Sequence, residues 1–313
     1  MTTAVARPGP AVLLVLGSCL SLQVGAAAAS HLFPTAGSTG ATALRLGVAA
    51  LVLLALARPR LRTWTRAQWR AVAALGACLA AMNGTFYAAI DRIPLGTAVT
   101  VEFLGPLTLA AVLSRRGRDL VWVGTALAGV VLLGTAGHPA DVVLDPAGVA
   151  LAAVAGVFWA GYVLTAGRVG RAVPGLGGLA VATAVAALLV LPLGAPGAAR
   201  ALGEPGLLPL VVATALLASV VPYAFELAAL RRLPAAVFGV LLSLEPALAA
   251  AAGFALLGER LSAAGVLAIG LVVAASAGST LSARRRSEGM PPRPLLPRPR
   301  RSARSLRSPA PPR

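Results

Sequence analysis

Lysine is missing altogether: all 27 basic residues of this 313-residue chain are arginine. Together with the abundance of Ala, Leu, Gly and Val, that one-sided usage reads as the codon bias of a GC-rich genome. Charge of any kind is scarce, at 12%. A soluble domain carries about a quarter charged residues, so a soluble globular fold is excluded. Aromatics make up only 4%, too few for the girdles of a membrane β-barrel. The two cysteines, Cys19 and Cys78, form no CxxC pair and sit in apolar runs, where they read as small packing residues. The two histidines, His31 and His138, fall in loops, and there is no HExxH or GxSxG. An intramembrane enzyme therefore lacks its nucleophile–base pair and its metal ligands, and neither a metal nor a cofactor is expected.

What the chain does have is apolar sequence, 58% of it and spread along most of its length. Runs near the twenty residues of a spanning helix fall at about 11–29, 36–57, 71–90, 95–114, 119–137, 147–166, 175–193, 207–230, 234–257 and 262–282. The fold class expected is an all-α polytopic membrane protein of ten transmembrane helices. The N-terminal run ends in an A-x-A-like stretch resembling a secretory signal. With so many spans following, it reads better as an uncleaved first span.

A net charge of +17 invites a nucleic-acid reading, but the positions of the arginines argue for membrane topology. With the N-terminus inside, inside loops hold Arg58, Arg60, Arg62, Arg66 and Arg70, then Arg115, Arg116 and Arg118, then Arg168 and Arg171, then Arg231 and Arg232. Outside loops hold only Arg92, Arg200 and Arg260, and the first, "HLFPTAGSTG", holds none. That bias places both termini in the cytoplasm. The Pro/Arg/Ser-rich tail, 283–313, cannot bury a core and is expected to be disordered; its arginines suit anionic lipid, as do those of the inside loops.

The chain repeats itself. "AAIDRIPLGTAVTVEFLGPL" from Ala88 parallels "AALRRLPAAVFGVLLSLEPAL" from Ala228, matching Ile93-Pro94 to Leu233-Pro234 and Pro106 to Pro246. "GTALAG" from Gly124 likewise parallels "GVLAIG" from Gly265, and these small residues suit close helix packing. The expected organisation is a cytoplasmic N-terminus (1–10), five-helix repeats at 11–137 and 147–282, and the tail. Five is odd, so the second repeat enters the membrane upside down, the plan of secondary transporters that open one site alternately to either side.

Ionisable residues inside spans face a cavity or a partner. Arg45 lies about nine residues into the second span. It either snorkels outward or lines the substrate path, where a guanidinium can hold a carboxylate. Glu102 and Glu245 occupy neighbouring faces of equivalent helices. Glu226, near the inner end of the eighth span, reads as a partner for Arg231 or Arg232. Pro106, Pro222 and Pro246 are expected to kink their helices, and Pro106 frees the carbonyl of Glu102 itself. Asn83 and Tyr87, with Tyr223 beside Pro222, are candidates for the pathway. Trp159 and Tyr162 fit interfacial anchors better than a cavity wall.

"IPLGTAVTVEFLGPL", "PYAFELAALRRLPAAVFGVLLSLEPALAAAAGFALLGERLSAAG" and the two-half plan resemble the EamA family of the drug/metabolite transporter superfamily, and most of all its threonine/homoserine exporter branch. The resemblance covers about Val12 to Ser282, and the long Arg/Pro tail departs from it. It implies a multi-pass inner-membrane exporter of small metabolites such as amino acids, driven by the proton gradient, with a sugar or nucleotide-type compound as the alternative cargo. On that reading Glu102 takes and releases the proton, Arg45 holds the substrate carboxylate and Glu245 shapes the second half of the site. The partners are then an amino acid-like small molecule and the lipid bilayer, with no nucleic acid.

Overall fold

A computed structural model of the chain describes residues 9–114, 120–137, 143–230, 232–233 and 235–288, and every regular element among them is a helix. In chain order these are α1 (Gly9–Ser30), α2 (Phe33–Ala57), α3 (Arg66–Ile90), α4 (Leu95–Glu102), α5 (Leu104–Ser114), α6 (Leu120–Ala136), α7 (Pro146–Ala172) and α8 (Gly177–Leu202). They continue as α9 (Leu208–Ala215), α10 (Val221–Leu230), α11 (Ala235–Leu242), α12 (Glu245–Leu257) and α13 (Ala263–Glu288). A π-turn, Leu216–Val220, joins α9 to α10. Taken across their breaks, the elements make ten spans. Among the described residues nine segments are long and apolar enough to cross a membrane, and Leu120–Ala136 is a shorter apolar helix.

Helix ends are written in local chemistry. Thr65 and Gln68 form a reciprocal capping box at the start of α3, satisfying backbone N–H groups that the first turn leaves orphaned. Gln68 Nε2 then reaches the carbonyl of Ala172 at the far end of α7 (2.6 Å). Asp145 caps α7, with Pro146 in its first turn, and it pairs with Arg92 at 3.5 Å.

The packing keeps its pattern when the first five spans are exchanged for the last five. α2 lies on α8, and α6 lies on α13, each pair mapping onto itself. The third span packs on the sixth as α3 on α7, and the eighth packs on the first as α10 on α1. A two-fold relation between halves produces this set of pairs. Close approach depends on small residues. Gly105 of α5 and Gly156 of α7 lie where the fourth and sixth spans cross: a Cβ on Gly105 would collide with the backbone of Gly156, and one on Gly156 with the backbone of Glu102 at the end of α4. Gly129 and Gly265 are similarly crowded between α6 and α13, whereas Gly124 and Gly270 meet open space. Only part of the paired glycine pattern is therefore packing.

Three boundaries differ from the sequence reading. The loop "HLFPTAGSTG" is largely helix: only His31 and Leu32 turn, and α2 runs from Phe33 with Pro34 in its first turn. The irregularity moves inside the helix, to Gly37 at φ +66°. Arg200 is not in a loop but in the last turn of α8, donating to the carbonyl of Thr35 at 3.0 Å. α13 continues through Glu288, past the expected boundary at 282; arginine is a good helix former. Residues 1–8, Arg115, Arg116, Arg118, His138, Arg231 and the tail from 289 lie outside the described residues, and so do the expectations made for them.

Candidate functional site

Both equivalent spans, the fourth and the ninth, break in the middle. α4 ends at Glu102 and α5 begins at Leu104; α11 ends at Leu242 and α12 begins at Glu245. The prolines explain the breaks differently from a simple kink. Pro106 and Pro246 stand in the first turns of the restarted helices, where a missing N–H removes no intrahelical bond. The glutamates consequently sit at the breaks themselves. The third proline, Pro222, follows the π-turn. In π-register its absent N–H would have bonded the carbonyl of Leu217. Ser21 Oγ of α1 donates to that carbonyl instead, at 2.8 Å.

Between these broken helices lies a cavity of about 360 Å³, within the range of small-ligand sites. Arg45, Asn83, Glu102, Glu245 and Tyr223 all line it. Tyr87, fully buried, stands behind Arg45. One guanidinium nitrogen of Arg45 donates to Tyr87 Oη at 3.0 Å, and the other terminal nitrogen donates to Asn83 Oδ1. The guanidinium carbon is 5.0 Å from the centre of the Tyr87 ring, a cation–π contact. Asn83 is itself fixed by donating to the carbonyl of Leu79 at 2.7 Å. Arg45 is only 5% exposed, so it does not snorkel outward. Its Nε has no hydrogen-bond partner, and among the described residues no carboxylate lies within ion-pair distance of it. A buried guanidinium with an idle donor and no contacting counter-ion is a ready receptor for an anionic group.

The cavity also holds residues that sequence reasoning placed elsewhere. Glu226 accepts from Ser18 Oγ at 3.1 Å and its side chain lines the cavity, while the expected pairing with Arg231 lies outside the described residues. Ser18 comes from α1, 208 positions away, a partner that proximity in sequence does not reveal. Trp159 and Tyr162 line the wall rather than anchoring an interface, and Trp159 packs edge-on against Phe103 at the α4–α5 break, 5.2 Å between centroids. Gln23 of α1 lines the cavity too, and sequence reasoning missed it. The available signal was an amide standing alone in the apolar run of α1. Glu102 lies within electrostatic range of Glu245 and Arg45. Among the described residues, the cavity thus gathers three carboxyl groups and one cation.

One end of the site is closed. α4 packs on α12 through Leu95, Val99, Ala249 and Ala252, with Ala26 and Ala27 of α1 completing the cluster. Glu259, just past α12, accepts from the backbone N–H of Leu95 at 2.7 Å, capping α4 from the other repeat. Burial pushes the Glu259 carboxyl above its ordinary range, while the N–H groups of Leu95 and Gly96 pull it back in part. At the opposite end, the pair equivalent by exchange of halves, α5 and α11, is at most in marginal contact among the described residues. A larger groove of about 780 Å³ lies on the flank of α12 and α13, but among the described residues Arg260 is the one charged residue lining it; the ionisable cluster belongs to the central cavity.

The EamA-like transporter family matches residues 146–281. The threonine/homoserine exporter RhtA of Escherichia coli (strain K12) is 42% identical over 277 residues, covering 88% of this chain and 93% of the relative. That of Salmonella typhimurium (strain SL1344) is 43% identical over 274 residues, covering 88% and 92%. A crystal structure 23% identical in sequence superposes with a TM-score of 0.59, covering 89% of this chain and 99% of the other, and shares the fold.

Proposed function

The chain belongs to the EamA-like transporter family, and on that premise we propose that it exports small amino acids of the threonine/homoserine kind across the inner membrane by alternating access, in exchange for protons. The observation that carries this reading is the idle, buried Arg45 facing a cavity with three carboxyl groups. A zwitterion has one group for each kind of charge. Its carboxylate would meet Arg45 Nε, and its ammonium would meet the carboxylates at the helix breaks.

Glu102 is the proton carrier in this scheme. It stands at the break of α4, within range of both Arg45 and Glu245, so its charge and the substrate's ammonium compete for one place. Loading a proton would release the ammonium, and losing the proton would recruit it. Glu245 and Glu226 shape the other side of the site, while Asn83 and Tyr87 hold the guanidinium in position. The two repeats, 11–137 and 147–282, would rock about the cavity with both termini in the cytoplasm, as the arginine bias indicates. The closed α4–α12 end would then be the outer gate, and the site would face the cytoplasm. The cytoplasmic arginines would hold the protein against anionic lipid.

Comparing extracellular amino acids from a deletion strain and an overexpressing strain tests the proposal. Threonine and homoserine should accumulate outside with overexpression and fall on deletion. Unchanged levels of every amino acid would count against it.

A further inference from the structure

Gln23 stands in the middle of α1 and is only 2% exposed. Its Oε1 is buried without a hydrogen-bond partner, although the side chain lines the central cavity. A buried, unpaired carboxamide oxygen is costly, and native structures rarely keep one without a use. The α1 N–H groups around it are already engaged within the helix, so the amide oxygen finds no donor there. Among the described residues, Arg45 Nε is the other buried, unpartnered atom on a side chain of the cavity wall. Thr214 and Ser219 also carry unpartnered hydroxyls, but neither lines the cavity. Two idle polar atoms therefore sit on side chains of one cavity wall.

Their chemistries differ. Arg45 is a cation and takes a carboxylate. The carboxyl groups of Glu102, Glu226 and Glu245 are stronger partners for an ammonium than a neutral amide is. Gln23 is left for an uncharged polar group. A carboxamide offers both an acceptor oxygen and donor hydrogens, so it can accept from a hydroxyl and donate to it. Its neighbours on the same face of α1, Leu22 and Ala26, are apolar. Against that wall a substrate hydroxyl would find Gln23 as its partner, and a substrate methyl in the same place would leave Gln23 stranded.

We propose that Gln23 reads the substrate's side-chain hydroxyl and thereby makes the site select hydroxylated amino acids over their apolar isosteres. The proposal rests on the amino-acid reading of the cavity. It adds that selectivity comes from a hydrogen bond and not from size. A site built to bond a hydroxyl rejects the analogue that lacks it far better than an apolar pocket separates molecules by one methylene. Threonine against valine, and homoserine against norvaline, are pairs in which a hydroxyl is exchanged for a methyl group at nearly constant shape.

The test uses the full chain in proteoliposomes, measuring kcat/KM for these four labelled amino acids with wild type, Gln23→Met and Gln23→Asn. Wild type should prefer each hydroxylated member. Gln23→Met, similar in length and apolar, should lower both hydroxyl-to-methyl ratios by roughly tenfold, the loss of one buried hydrogen bond. Gln23→Asn, which keeps the amide one carbon shorter, should retain part of the preference. A role in packing alone would lower transport of all four together and leave the ratios where they were. Unchanged ratios in Gln23→Met, or a wild type that carries all four without preference, would overturn the role of Gln23 while leaving the amino-acid reading intact. A wild type that carries none of the four would overturn both. Should Gln23→Met fail to purify as a monodisperse species, Gln23→Leu takes its place and the same ratios decide.

Discussion

Arg45 and Tyr87 hold each other twice, by a 3.0 Å hydrogen bond to the tyrosine oxygen and by the guanidinium lying 5.0 Å from the ring centre. The two contacts can be separated. Tyr87→Phe keeps the ring and removes the oxygen, leaving a buried N–H unpaired at a cost of about 1–3 kcal/mol. We expect a lower melting temperature in detergent and a raised KM for threonine, with kcat less affected. Arg45→Lys keeps the charge but cannot hold Asn83 and Tyr87 together with a free Nε, and transport should fall by roughly tenfold or more, corresponding to at least about 1.4 kcal/mol.

Glu102→Gln keeps the shape and removes the titrating group. Threonine exchange between equal concentrations should persist at a raised KM, because the neutral side chain no longer recruits the ammonium but Glu245 and Glu226 remain and the cavity can still alternate. Accumulation driven by a pH gradient should be lost. Measuring both in the same vesicles separates coupling from binding, and full proton-driven transport by this variant would remove Glu102 from the coupling role.

Ser21→Ala withdraws the hydroxyl from the carbonyl of Leu217, which Pro222 leaves without a donor. Stability should fall by about 1–3 kcal/mol, read as a lower midpoint in thermal unfolding. Restoring a donor with Ser21→Thr should recover most of it. An unchanged midpoint in the alanine variant would show that the π-turn finds another partner.

The cap from Glu259 to Leu95 makes the closed end sensitive to pH. Burial raises the Glu259 carboxyl above the value it has in water, so the closed state binds the proton more tightly than an open state does. Acidification therefore favours closure, and that contribution disappears as pH rises through the raised value. Spin labels on the turn before α4 and the end of α12 should report shorter distances at low pH in wild type. Glu259→Gln should flatten the dependence. Glu259→Ala should lengthen the mean distance at every pH, because the N-terminal cap, worth about 1 kcal/mol, is gone.

The spans were legible in the sequence because run length alone reports the thickness of a bilayer. Arg45, Glu102 and Glu245 were legible because a charge inside such a run has to be explained. Their environment was not. Glu226 has two arginines a turn away in sequence, yet it is bonded by a serine of α1. The prolines announced irregular helices, but whether a helix bends or stops depends on where the next helix restarts, and that is set by packing against α7 and α1. Gln23 carries no charge and raises no alarm in an apolar run. Its importance is visible only once its oxygen is seen to be buried and unpaired.

Counterflow of labelled threonine in proteoliposomes with an imposed pH gradient tests the central claim most directly. Unlabelled threonine or homoserine on the opposite side should accelerate movement of the label, the pH gradient should drive accumulation, and Arg45→Ala should abolish both. Label movement no faster than in protein-free vesicles, or movement that the opposing amino acid does not accelerate, would contradict an alternating-access amino-acid exporter.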